Sequence, residues 1–94
     1  TNVASGGNAA VFGGLNNDAL GTRSVVVGGS TNEADGGNDV ILGGGSNTTT
    51  GNGATVTGGS QNSASGTQST VSGGSNRSVT GTHDWAAGSL FEDS

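Results

Sequence analysis

The single histidine of the chain, His83, is followed directly by Asp84, and serines are frequent throughout the sequence. A His–Asp pair near a serine could support hydrolysis, with the serine as nucleophile and the imidazole as its general base. Adjacent residues of an extended strand project to opposite faces, however, so Asp84 could not orient the ring of His83. The sequence holds no second cluster of this kind, and we predict that the chain is not an enzyme.

Asp39 lies in residues 36–45, GGNDVILGGG, which look like one unit of the calcium-binding nonapeptide repeat. In that repeat, successive turns supply carboxylates at a nine-residue period. The residues fifteen positions before and after Asp39 are Ser24 and Ala54, which offer no carboxylate. We therefore predict no metal and no cofactor. We expect Asp39 to accept backbone hydrogen bonds at a corner, and Asp84, at the same repeat position, to do likewise.

Two further motifs have a chemical interpretation. The many glycines do not form a phosphate-binding loop, because that motif requires a lysine and the sequence has none. Asn47 and Asn76 each begin an Asn-x-Ser/Thr sequon for N-glycosylation. In a chain so rich in Ser, Thr and Asn such matches arise by chance, and a bacterial source would leave them unmodified.

All these candidates lie within a repeat of fifteen residues that continues along the chain without insertion or deletion. Position 1 of each repeat is a glycine: Gly13, Gly28, Gly43, Gly58, Gly73 and Gly88. Position 2 adds Gly14, Gly29, Gly44, Gly59 and Gly74, and position 9 holds Gly6, Gly21, Gly36, Gly51, Gly66 and Gly81. Self-similarity at a fixed short period indicates an array of equivalent structural units, each touching mainly its neighbours.

Other positions of the repeat are also nearly constant. Position 7 holds small residues and position 14 mostly β-branched ones, so two strands of about four residues, at positions 5–8 and 12–15, are expected in each turn. Glycine corners between them predict an all-β fold, a narrow parallel β-roll or β-solenoid of about six turns spaced roughly 4.8 Å apart. At position 5 we predict a structural ladder of stacked side-chain amides, formed by Asn2, Asn17, Asn32, Asn47 and Asn62.

The outward positions of the two strands differ in character. Positions 6 and 8 are mostly polar, which favours a solvated face. Positions 13 and 15 are apolar in the first half of the chain and become Thr and Ser later. A contiguous apolar stripe is rare on a monomer, so we predict an oligomer interface formed by Phe12, Val25, Val27, Val40, Leu42 and Trp85. For Trp85, followed by Leu90 and Phe91, a role as end cap or trimer contact is favoured over an anchor for another partner.

Composition limits the remaining possibilities. Ninety-four residues allow one domain, predicted as a β-roll at 1–88 with a C-terminal cap or tail at 89–94. A hydrophobic content of 28% and a net charge of −5 would suggest disorder, but a disordered chain has no reason to keep a register. The acidic balance disfavours nucleic acid. Without an apolar run of about 18 residues, we predict no membrane insertion and a soluble mature form or fragment.

Residues 58–72, GGSQNSASGTQSTVS, and residues 28–36, GGSTNEADG, resemble the head repeats of trimeric autotransporter adhesins. The shared form is Gly-Gly-x-x-Asn-x-Ala-x-Gly-x-x-Ser-x-Val-x, typical of YadA-like heads, and the resemblance covers residues 1–88. It implies a left-handed parallel β-roll, a homotrimer about a common axis, and binding to extracellular matrix or cell-surface macromolecules. The family's neck, stalk and membrane anchor have no counterpart here, and similar repeats occur in phage fibres and secreted proteins. We expect an extracellular or cell-surface location.

Two functional hypotheses follow. The first is a trimeric head module for adhesion, or a structural fibre segment of the same form. The alternative is a monomeric ice-binding roll, because residues 76–81 have some likeness to grass ice-recrystallisation inhibitors. Thr-x-Thr patterns at residues 48–50, 55–57 and, with a terminal Ser, 70–72 supply part of the flat hydroxyl array this would need. In the first three turns Val, Leu, Glu and Asp stand in place of those threonines.

Overall fold

The computed structural model describes residues 1–88, which form twelve short strands. The cap or tail predicted at 89–94 lies outside these residues. Within 1–88, no helix is long and apolar enough to cross a membrane.

The strands belong to two parallel sheets of six. The odd-numbered strands form the first sheet: β1 (Val3–Ala4), β3 (Asp18–Ala19), β5 (Glu33–Ala34), β7 (Thr48–Thr49), β9 (Ser63–Ala64) and β11 (Ser78–Val79). The even-numbered strands form the second: β2 (Ala10–Phe12), β4 (Val25–Val27), β6 (Val40–Ile41), β8 (Thr55–Val56), β10 (Thr70–Val71) and β12 (Trp85–Ala86). Each residue pairs with the one fifteen positions further along, as Val3 does with Asp18. The predicted β-solenoid of about six fifteen-residue turns is confirmed.

The interior is a thin column of small side chains at positions 7, 12 and 14. Its buried apolar residues are Ala19, Val26, Ala34, Ile41, Ala54, Val56, Ala64, Val71 and Val79. The largest of them is Ile41. Thr49 departs from the pattern by bringing a hydroxyl to position 7, where neighbouring turns have alanine.

The strands are two or three residues long instead of the four expected. Between them lie left-handed residues that are not glycine. These lie at positions 4 and 11 and include Thr31 (φ 57°) and Asn38 (φ 62°). The backbone amide of each of these residues donates to a carbonyl of the preceding turn. Thr31 N donates to Leu15 O at 2.9 Å, and Asn38 N donates to Thr22 O at 2.9 Å. The amides of strand residues donate instead to carbonyls of the following turn, as Val25 N does to Asp39 O at 2.9 Å. The corners thus bond one turn to both neighbours.

The two glycines of the pair Gly58–Gly59 differ in what their positions require. At Gly59 (φ 89°), a Cβ atom would collide with the carbonyl of Gly74 in the next turn and lie 2.7 Å from Nδ2 of Asn62. At Gly58 nothing lies within 4 Å of such an atom, and its φ is outside the left-handed range. The second glycine of a pair therefore permits the close stacking of turns, whereas Gly58 is not needed for packing.

Candidate functional site

The asparagines at position 5 bind neighbouring turns together. Asn17 is fully buried, its Oδ1 accepts from Asn32 N at 3.0 Å, and its Nδ2 donates to Gly29 O at 3.0 Å. Asn32, Asn47 and Asn62 repeat this pattern. Asn2 makes the same bonds but is exposed. One amide–amide bond occurs among these residues, from Asn32 Nδ2 to Asn17 Oδ1 at 3.2 Å. The amides bond mostly to backbone, because the corner carbonyls and amides of a stacked turn would otherwise lack partners.

Arg77 ends this series of amides. Its backbone amide still donates to Asn62 Oδ1 at 2.8 Å, but its side chain turns to Ser75 O, 3.1 Å from Nε. The carbonyl of Gly73 accepts instead from Gly88 N at 2.9 Å. The contacts in this turn therefore differ from those of the earlier ones.

Asp39 is fully buried at a corner and accepts two backbone bonds, from Ala54 N at 2.7 Å and Gly36 N at 3.0 Å. Burial raises the pKa of its carboxyl above the ordinary value of 3.8, although these amides and the Thr49 side chain act in the opposite direction. The buried Thr49 hydroxyl has no partner in good bonding geometry within residues 1–88. Each carboxylate oxygen thus accepts one amide hydrogen, which favours the charged form, but the burial of the group outweighs this effect on the pKa.

His83 and Asp84 have separate partners. His83 Nε2 lies 2.5 Å from Oε1 of Gln68, one turn earlier. Asp84 Oδ2 accepts from Gly81 N at 3.1 Å, the same bond that Asp39 makes with Gly36. Each side chain thus has a corner contact of its own, and the structure does not bring the two together as a base and its orienting acid.

The most distinctive surface is the outer side of the second sheet near its N-terminal end. We call it the apolar face and define it by five predicted interface residues, Phe12, Val25, Val27, Val40 and Leu42. Phe12 is 62% exposed, Leu42 49% and Val27 39%, while Val25 and Val40 are half-buried. Phe12 pairs in register with Val27, and Val25 with Val40. The five side chains therefore form one continuous patch over three turns.

Trp85, the sixth predicted interface residue, lies on the same sheet but apart from that patch. It is 54% exposed and pairs in register with Thr70. Its indole N–H donates to Ser72 Oγ at 2.6 Å. Three turns, or roughly 14 Å at the spacing of adjacent strands, separate Trp85 from Val40.

The outer side of the second sheet between Leu42 and Trp85 carries hydroxyl groups, and we call it the hydroxyl face: Thr55, Thr57, Thr70 and Ser72. Thr55 and Thr70 are half-buried and stand in register, whereas Thr57 and Ser72 are exposed. The hydroxyl of Thr57 donates to the carbonyl of Ser72 at 2.5 Å. The hydroxyl of Ser72 accepts the indole N–H of Trp85, so two of the four hydroxyls are already engaged within the protein.

The outer side of the first sheet is polar. Asp18 and Glu33 are register partners, and Glu33 is exposed. A shallow groove beside them is lined by residues at positions 4, 5 and 6: Asn16, Asp18, Thr31, Asn32, Glu33, Ser46 and Thr48. Like charges in register on neighbouring strands repel each other, so this pair disfavours the stacking of its two turns.

Within residues 1–88, two large apolar side chains are exposed that were not among the predicted interface residues. Leu15 is 60% exposed at position 3, a corner that is Ser or Gly in the following turns. Val3 is 40% exposed at position 6, where the other turns are polar. Both could have been found by comparing each position across the repeat. Both lie in the N-terminal part, as the apolar face does.

No protein-family model, curated protein or solved structure matches this chain. The function must therefore be inferred from the residues of these faces.

Proposed function

We propose that the chain is a non-catalytic, self-associating β-solenoid module of the kind found in YadA-like heads of trimeric autotransporter adhesins. The observation that supports this most strongly is the apolar face. Monomeric proteins rarely expose a continuous apolar patch of this sort, and burying one exposed Val or Leu contributes about 1 kcal/mol or more to association.

The distribution of the apolar residues favours a parallel arrangement of chains. If two rods packed antiparallel with their ends aligned, the apolar face of one would lie against the hydroxyl face of the other. Parallel packing in register places Val27 and Leu42 against the same residues of the next copy. Cyclic symmetry about an axis along the rods satisfies this condition for every chain, and a homotrimer is the form that the resemblance implies.

In such an assembly the polar side of the first sheet remains available to a ligand. We propose that it faces an extracellular matrix or cell-surface macromolecule when the module is displayed on a bacterial surface, on a phage fibre or as a secreted protein. A structural role as a fibre segment uses the same self-association without a ligand. Binding of the purified assembly to immobilised matrix proteins distinguishes the two roles.

The self-association is tested with two variants, each of which places one negative charge on a different side of the roll. Leu42→Asp puts it in the apolar face, and Ser65→Asp puts it on the exposed outer side of the first sheet. Asp35 already occupies the equivalent position to Ser65, so the control introduces a residue that the fold accepts. We expect Leu42→Asp to weaken association at least tenfold, about 1.4 kcal/mol, and Ser65→Asp to leave it unchanged. Equal effects, or a monomeric parent, would contradict the proposal.

The alternative of a monomeric ice-binding roll rests on the hydroxyl face. Thr55 and Thr70 stand in register and are joined by Thr57 and Ser72 on the same side. This ordered array covers two turns, and the apolar face replaces it in the earlier ones. Inhibition of ice recrystallisation by the monomer, lost in Thr70→Val, would support this function in place of self-association.

A further inference from the structure

The two N-glycosylation sequons occupy opposite environments in the solenoid. Asn47 is at position 5, fully buried, with Nδ2 donating to Gly43 O and Gly59 O at 3.1 Å each. Its Oδ1 accepts from Asn62 N at 2.9 Å. Asn76 is at position 4 and is exposed, as is Ser78, which completes its sequon. One sequon is therefore part of the stacking, and the other lies on the surface.

The exposure of Asn76 follows from its place in the repeat. The equivalent residues Thr31, Ser46 and Gln61 are also exposed, although each has a full turn stacked on either side. In these residues the left-handed backbone directs the amide to the preceding turn; for Asn76 the acceptor is Ser60 O, at 3.0 Å. Stacking thus fixes the backbone at position 4 while the side chain points outward.

The sequence alone offers no reason to expect modification of either sequon, but the exposure of Asn76 changes that expectation for one of them. We propose that Asn76 is an acceptor site for N-linked glycosylation in the folded protein and that Asn47 is not. The reaction requires a glycosyltransferase that recognises Asn-x-Ser/Thr and a nucleotide-activated sugar from the source cell. A bond forms between Nδ2 of Asn76 and the anomeric carbon of the sugar, whose bond to the diphosphate oxygen breaks. The nucleoside diphosphate leaves, and Nδ2 loses one proton.

A glycan at this corner is compatible with self-association. Residues at position 4, including Asn16, Thr31 and Ser46, border the groove beside the first sheet. The apolar face lies on the outer side of the second sheet, at positions 13 and 15. Asn76 itself lines a cavity of the last described turn together with Trp85, whereas the apolar face ends at Leu42 in an earlier turn. A glycan at Asn76 would therefore lie away from the apolar face, and this inference stands whether or not the proposed trimer forms.

The test uses a soluble N-glycosyltransferase and a nucleotide-activated hexose. Synthetic peptides of residues 40–54 and 69–83 first establish an enzyme that accepts both sequons outside the fold. The folded full-length chain is then treated and analysed by intact mass and peptide mapping. We expect one hexose, located on Asn76, and none on Asn47. Modification of Asn47 in the folded chain, or an unmodified Asn76, would overturn the proposal.

Two variants distinguish the contribution of the exposed corner to glycosylation from that of the sequon. Ser78→Ala removes the hydroxyl of the sequon from an exposed position and should abolish the modification without unfolding the roll. Gln61→Asn creates an Asn-x-Ser sequence with Ser63 at the equivalent corner (φ 58°) one turn earlier. We expect it to accept a second hexose. If Gln61→Asn folds and remains singly modified, exposure at position 4 is not what makes an asparagine an acceptor.

Discussion

The second sheet has the same interior along its length but two different outer sides. In its N-terminal half, Val25 and Leu42 give an apolar face, and in the next turns Thr55 and Ser72 give a hydroxyl face. Beneath both, Val26, Ile41 and Val56 fill the same interior position and are fully buried. The fold therefore does not depend on which outer side a turn carries. We infer that the outer side is where turns of one repeat acquire different functions.

The largest expected effect tests whether the backbone of adjacent turns stacks equally closely in the N-terminal and C-terminal halves of the solenoid. Gly29→Ala and Gly59→Ala each place a methyl group against a carbonyl of the next turn, at φ 81° and 89°. Each should lower the free energy of unfolding by more than about 3 kcal/mol. Urea denaturation measures both. Unequal losses would show that stacking differs between the halves.

Gly58→Ala is the matched control for these variants, because its new methyl group meets no atom within 4 Å and its φ is not left-handed. We expect its stability to be unchanged or higher by up to about 1 kcal/mol, since alanine restricts the unfolded chain. A large loss here would mean that the first glycine of the pair is also required for packing.

The boundary between the two faces can be moved by one substitution. Thr57→Val extends the row of Phe12, Val27 and Leu42 by one turn, with a residue that position 15 already accepts at Val27. We expect association to tighten about fivefold, or ~1 kcal/mol. Thr50→Val, on the exposed outer side of the first sheet, is the control and should not change association. Analytical ultracentrifugation measures both, and equal tightening would contradict a role specific to the apolar face.

A smaller effect concerns Asp39, beneath the boundary between the faces. Because burial raises its pKa above 3.8, the native state binds the proton more tightly than the unfolded chain. The stability from Asp39 is thus fully present below the ordinary pKa and is lost as pH rises through the raised value. Asp39→Ser should remove this part of the pH dependence, and denaturation between about pH 4 and pH 7 measures it.

Asp39→Ser should still fold, because Ser24 and Ser69 occupy the same repeat position. The Ser24 hydroxyl donates to Gly21 O at 2.8 Å, and the Ser69 hydroxyl to Gly66 O at 2.7 Å. If the variant keeps the pH dependence of the parent chain over this range, the buried carboxyl is not its source.

The smallest expected effect is at a corner. Thr31 is β-branched and has φ 57°, a conformation that asparagine adopts more easily. Thr31→Asn should therefore raise the free energy of unfolding by about 0.5–1 kcal/mol. Asn16 and Asn76 already occupy this position in other turns. A loss of stability in thermal denaturation would mean that the threonine side chain has a role of its own.

The period predicted the fold because stacking turns must repeat their inward residues. It assigned Ala34 and Val56 to the interior and Val27 and Leu42 to the outside, as observed. It did not predict the left-handed corners, because residues as different as Arg23 and Thr31 adopt the same backbone there. Their conformation depends on hydrogen bonds to the preceding turn, which no local property of the sequence reports. The amide-to-backbone bonds of Asn17 were missed for the same reason.

The most direct test of self-association through the apolar face is the mass of the unmodified chain by sedimentation equilibrium over a range of concentrations. The chain is 8.8 kDa, and the proposal predicts a species of three times that mass at higher concentrations. A single species with the mass of one chain throughout the range would contradict it.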